Sequence, residues 1–163
     1  MQVMESALAV VDARSGIEAL YRADADRMWR ALFAYSGDAE IASDAVAEAY
    51  AQLLRRGEAV RDPAAWVWRA AFQISKGQLK VRQPVVDAAT TAAEHLDAYA
   101  DTDLLAAVGR LPEGQRAAVI LFYYADLPIR AIADRLGTNS LAVRANLSRG
   151  RRRLRELLGD SDD

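Results

Sequence analysis

Between Leu127 and Leu158 the chain twice repeats apolar residues at helical spacing, on either side of a single glycine, and this leaves little choice of local structure. In the first segment Ile129, Ile132, Ala133 and Leu136 follow at i, i+3, i+4 and i+7, and Pro128 suits an opening position. Gly137 can take the left-handed conformation that ends a helix, and Asn139 or Ser140 can accept a hydrogen bond from the next helix's free N–H groups. In the second segment Val143, Leu147, Leu154 and Leu158 form one stripe, leaving Arg144, Asn146, Ser148, Arg149, Arg152 and Arg153 off it. The spacing predicts a helix-turn-helix whose second helix presents cations.

Residues 139–158 hold six arginines against one glutamate. A merely solvated helix more often mixes its charges at i,i+4 spacing, and only Glu156 offers such mixing here. Arginine can take the paired acceptors of guanine or a phosphate, and asparagine can pair with adenine. Base reading is therefore expected of the early part of this helix, and phosphate contact of the later arginines. The net charge of −2 conceals this concentration: residues 1–100 carry 11 basic and 14 acidic groups, residues 101–163 carry 10 and 9. A chain of that sign binds bare DNA weakly and needs a larger partner to deliver it.

The remaining sequence is rich in alanine, leucine and arginine and has no sustained alternating β-branched run, so an all-α fold is expected. Without cysteine there is no disulfide or thiolate site, and a lone His95 cannot assemble a histidine metal cluster. No paired carboxylates accompany a nucleophile or metal set, so neither an enzymatic reaction nor a cofactor is expected. No apolar run reaches the ~20 residues of a membrane span, and the first residues lack a signal peptide's basic start, which makes a cytoplasmic location the simplest reading.

Ile17, Leu20, Tyr21, Met28, Leu32 and Tyr35 mark a first long helix stopped by Gly37. A second runs from Ala39 to Arg56, with Val46, Ala49, Tyr50 and Leu53 on its apolar side and Asp44, Glu48, Gln52 and Arg55 on the other. After GEAVRD, Asp62 can cap and Pro63 can open a third helix to about Lys80, where Trp66, Ala70 and Ile74 make one stripe and Trp68, Phe72 and Leu79 another. From Gln83 to Asp103 there are five acidic residues and no lysine or arginine, which reads as a linker. A helix around Leu104–Leu111 follows, then RAAVILFYY, apolar all round like the central helix of a small bundle. The tail GDSDD is expected to be disordered.

With both ends in view, the chain resembles an extracytoplasmic-function (ECF) sigma factor of bacterial RNA polymerase over about residues 15–158. LPEGQRAAVILFYYADLPIRAIADRLG and SLAVRANLSRGRRRLRELL are similar to that family's fourth conserved region, and GDAEIASDAVAEAYAQLLRR with AWVWRAAFQISKGQL to its second. The resemblance implies two small helical domains joined by a flexible acidic linker: an extension at 1–14, a region 2-like domain at 15–82, the linker at 83–101, a region 4-like helix-turn-helix domain at 102–158 and an acidic tail at 159–163. It implies that Asp44, Glu48, Gln52 and Arg55 dock on the polymerase clamp helices. Arg61, Trp68, Arg69, Gln73, Lys76 and Lys80 would engage the −10 element as single-stranded DNA, with Trp66 left to the core. Ser140, Arg144, Asn146, Ser148 and Arg149 would read the −35 duplex, with Arg152 and Arg153 nearer phosphate.

The implied partners are the polymerase core, through clamp helices and flap, promoter DNA, and as a further candidate an anti-sigma factor; no membrane insertion is implied. Gly150 stands where an alanine is common, at about 1 kcal/mol of helix stability. Two other readings compete: a sigma-like decoy that binds polymerase or an anti-sigma protein without reading promoters, and a conventional helix-turn-helix regulator. The second has no reason to carry the region 2-like half.

Overall fold

The computed structural model describes residues 1–81 and 102–159. Among them are seven α-helices: α1 (Gln2–Ser36), α2 (Ala39–Arg56), α3 (Pro63–Val81), α4 (Thr102–Gly109), α5 (Glu113–Tyr123), α6 (Ile129–Leu136) and α7 (Ser140–Leu158), with a 3₁₀ turn at Gly57–Ala59. The described residues contain no strand. The linker assigned to 83–101, with His95, Arg82 before it and Asp160–Asp163 at the end, lies outside the described residues.

The helix boundaries follow local chemistry. Gly37 and Gly137 end α1 and α6 in the left-handed conformation, with φ of 68° and 64°. The Asp38 carboxylate accepts from the backbone N–H groups of Glu40 and Ile41, Asp62 accepts from Ala65, and of the two candidates at the start of α7 it is Asn139 that caps, accepting from Ala142 at 2.9 Å. α1 departs from expectation. It begins at Gln2 rather than near Ile17, so the segment read as a separate extension continues the same helix.

α1, α2 and α3 pack as one group through Met28, Leu32, Ile41, Leu53, Val67 and Phe72, each nearly inaccessible. α4–α7 form the second group around α5, whose residues Ala117–Leu121 are all buried, as its apolar circumference predicts. Val143 and Leu147 hold α7 to this core as expected, but Leu158 is 44% exposed, and Gly150 takes the place it was assigned in the buried stripe. A Cβ on Gly150 would stand 2.9 Å from Val119 Cγ2, so the missing side chain lets α7 approach α5.

The two groups do not stand apart. Ala31 to Tyr35, at the end of α1, are buried on every side, by α2 and α3 from one flank and by α4 and α5 from the other. Tyr35 packs on Phe72 at 4.7 Å, its hydroxyl donates to Glu113 Oε1 at 3.5 Å, and the Arg116 guanidinium lies 5.3 Å over its ring. On the other side of the boundary, the Gln73 side-chain amide of α3 donates to the Arg135 carbonyl of α6 at 3.2 Å.

Two outcomes follow from this packing. Burial pushes the Tyr35 and Tyr50 phenols from 10.0 up to about 12, with the Glu113 carboxylate adding to the shift at Tyr35 and Asp24 at Tyr50. Because the folded values exceed the unfolded one, the stability they carry is complete below pH 10 and lost as pH rises through 12. Phenolate absorbance should therefore show both titrating late and together with unfolding, and Tyr35→Phe should remove its share of the loss. Gly150→Ala gains about 1 kcal/mol of helix propensity but overpacks against Val119, which costs about 1–3 kcal/mol, so it should lower the unfolding temperature. In a Val119→Ala background the same substitution should raise it.

Candidate nucleic-acid interface

The outward face of α2 is an ordered polar surface. Its inner face buries Ile41, Ala45, Ala49 and Leu53, which turns Asp44, Glu48 and Arg55 to solvent and leaves Gln52 half-exposed. Glu48 accepts from the Gln52 amide at 3.0 Å and from Arg55 at 3.1 Å. These hydrogen bonds, Gln52 first, hold its carboxyl below the usual range. The cluster is exposed, so it contributes little stability to the fold.

Along α3 the structure exchanges the roles expected of two tryptophans. Trp68 is 3% exposed, its indole N–H donates to Asp24, and Arg27 lies 5.4 Å over its ring while bonding the same carboxylate at 2.8 Å. A ring held that way cannot receive an unstacked base, so Trp68 is a core residue and not part of the DNA-facing set. Trp66, expected in the core, is half-exposed, with Arg56 at 5.4 Å from its ring. Asp24 was also missed as the residue that orients this buried network. Its signal is a carboxylate on the stripe of Ile17, Leu20 and Met28, where only apolar groups belong.

The other −10 candidates divide by environment. Arg61 and Lys80 are exposed, and Lys76 is half-exposed. Arg69 is half-exposed and folds back to the Ala65 carbonyl at 3.2 Å. Gln73 is exposed but engaged by α6. Arg69 also approaches Arg135 closely enough that, after burial, its charge is the main influence lowering the Arg135 pKa.

On α7, Arg144, Ser148, Arg149, Arg152 and Arg153 are exposed and Ser140 is half-exposed, all away from the buried side formed by Val143, Leu147 and Gly150. Asn146 is different. It is half-buried, and a Cβ on Gly114 would lie 3.3 Å from its Nδ2, so its amide sits against the start of α5 beside the exposed face. Arg151 is committed elsewhere: its Nε donates to the Tyr123 hydroxyl at 2.6 Å, and its guanidinium covers the Phe122 and Tyr123 rings. Beside it an open apolar groove of about 520 Å³ is lined by Leu104, Val108, Val119 and Leu154 and flanked by Arg151 and Arg155. No pattern in the sequence marked that groove, because its walls come from three helices.

Among the described residues no group of three or more His, Cys, Asp or Glu side chains could hold a metal ion, and no helix is long and apolar enough to cross a membrane.

Comparison with known proteins gives the arrangement a family. Residues 101–154 match the family model described as Sigma-70, region 4. The RNA polymerase sigma factor SigV of Bacillus subtilis (strain 168) is 32% identical over 146 residues, covering 82% of this chain and 86% of that protein. Two solved structures share the fold: CnrH in complex with the cytosolic domain of CnrY, at 19% identity, TM-score 0.63 and coverage of 95% and 97%, and the sigma factor RpoE with the anti-sigma factor NepR from Bartonella quintana, at 17% identity, TM-score 0.68 and coverage of 93% and 99%. The chain belongs to the extracytoplasmic-function RNA polymerase sigma factors, the transcription initiation subunits that bring bacterial polymerase to its promoters.

Proposed function

We propose that three surfaces of this sigma factor divide the work of initiation between them. The α2 face of Asp44, Glu48, Gln52 and Arg55 docks on the clamp helices. Arg61, Arg69, Gln73, Lys76 and Lys80 hold the melted −10 strand, with Trp66 as the half-exposed ring of α3. Ser140, Arg144, Ser148 and Arg149 read the −35 duplex, Arg152 and Arg153 contact phosphate, and Asn146 contributes from the margin of that face. The apolar groove flanked by Arg151 and Arg155 suits a helix of the polymerase flap or of an anti-sigma factor. The residue ranges 15–82 and 102–158 act as the two domains, the polymerase supplies the chemistry and its metal, and the protein works in the cytoplasm. The observation that carries this reading is the likeness to SigV across both halves, with the exposed arginines of α7 lying opposite its buried stripe.

Geometry adds one requirement. The two promoter elements lie roughly 80 Å apart at 3.4 Å per base pair, whereas α1, the longest described element, spans only about 52 Å. The closed arrangement, with Gln73 bonded to α6, therefore has to open when both elements are engaged. Residues 82–101 have a contour length of about 70 Å.

Polymerase core mixed with the protein should retain it on a sizing column and initiate from a cognate promoter in run-off transcription; a decoy would pass the first measurement and not the second. Arg144→Ala should weaken −35 recognition about ten-fold or more while core binding persists. Arg152→Ala should weaken binding to all DNA sequences alike and reduce the salt slope by about one. A changed base preference for Arg152→Ala would contradict its phosphate role.

A further inference from the structure

Ile17 is the first residue of α1 that reaches the core, yet the helix extends fifteen residues before it. On that overhang Val3, Met4, Leu8, Val10 and Val11 are 56–85% exposed. Val3, Ala7 and Val10 form one row and Met4, Leu8 and Val11 the adjacent one, with Glu5 and Asp12 along the edge beside Leu8. A contiguous apolar stripe of this kind marks an interaction surface.

The stripe leads into a built feature. At its base Val10, Ala13, Arg14 and Ile17 face Leu54, Arg55 and Arg56 at the end of α2, across an open groove of about 580 Å³. Leu54, on the far wall, is 46% exposed. Arg55 also belongs to the hydrogen-bonded α2 cluster, so the groove joins the overhang directly to that face. The mouth carries three arginines, Arg14, Arg55 and Arg56, against one carboxylate, Glu58.

We propose that this stripe and groove form a second contact with the polymerase core, receiving an amphipathic helix of the core whose apolar side lies on Val3–Val11 and whose carboxylates meet the arginines at the groove mouth. This rests on the reading of α2 as the docking face, which it lengthens along α1. A second copy of the chain is the poorer occupant. Its own stripe ends in the same arginines, Arg14, Arg55 and Arg56, so self-pairing offers the groove mouth no surplus of carboxylates.

Gly16 sets how far the overhang is pre-formed. It stands in the helix with nothing within 4 Å of a Cβ built on it, so it fills no packing role. Glycine there, with three valines beyond it, weakens the helix that the partner has to find ordered.

The test is titration of polymerase core with labelled full-length protein. Leu8→Glu with Val11→Glu should lower affinity about ten-fold while leaving the unfolding temperature unchanged, because both side chains are more than 60% exposed. Gly16→Ala should tighten binding a few-fold by pre-organising the helix. Unchanged affinity of the double variant overturns the proposal, and so does a free-chain dimer, seen by sedimentation equilibrium, that the double variant dissolves. Asp44→Arg separates the two ideas: if it leaves core affinity intact, the α2 reading fails by itself, whatever Leu8 and Val11 do.

Discussion

Everything in this molecule leans on the last two turns of α1. A surface helix buries one stripe, but from Ala31 to Tyr35 this one buries its whole circumference, because one helix end serves as core for two helix groups. The α2 and α3 side gives the first group its shape, and the α4 and α5 side recruits the second. Apolar burial at about 25 cal/mol per Å² makes such a junction adhesive without any directional bond. The polar partners around Tyr35 then fix its register: Glu113 receives the hydroxyl, and Arg116 lies over the ring.

The same junction contains a force that opposes it. Closure brings Arg69 of α3 toward Arg135 of α6, two like charges on opposite sides of the contact, in partly desolvated surroundings. Apolar packing and like charge thus meet at the contact between the two helix groups. The overall charge adds no attraction of its own: with a net −2, the chain as a whole carries no long-range pull toward DNA.

The helices themselves were legible because each has a strong period and an explicit stop: Gly37 and Gly137 act where glycine is required, and Asp62 and Asn139 cap where their carboxylate and amide are needed. What could not be read was which of two stripes a helix turns inward. On α3 both Trp66 and Trp68 lie on apolar rows, and the choice was made by Asp24, forty-four residues away, which offers a buried acceptor to the Trp68 indole. Asn146 illustrates the same limit, since its half-burial depends on where α5 begins. Contacts between the two groups, such as Gln73 with Arg135, leave no periodic trace at all, because each is a single meeting of distant segments. The overhang before Ile17 was hidden for the opposite reason: its apolar rows are regular, but no capping residue marks their start.

Gly150 shows how a residue that looks like a local weakness is settled by its neighbour. Taken alone, glycine in the middle of a reading helix lowers helix stability and argues for a compromised DNA contact. In place, it lets α7 lie close against α5, with Val119 occupying the volume that a Cβ would need. Val119 is itself buried and β-branched, so few rotamers are open to it in making room for one. The local loss is therefore exchanged for close packing between two helices. Arg149, Arg152 and Arg153 project from the turns immediately flanking the crossing, on the solvent side. A recognition helix reads bases through a few side chains held in register with a groove, so the packing that seats such a helix matters alongside its exposed side chains.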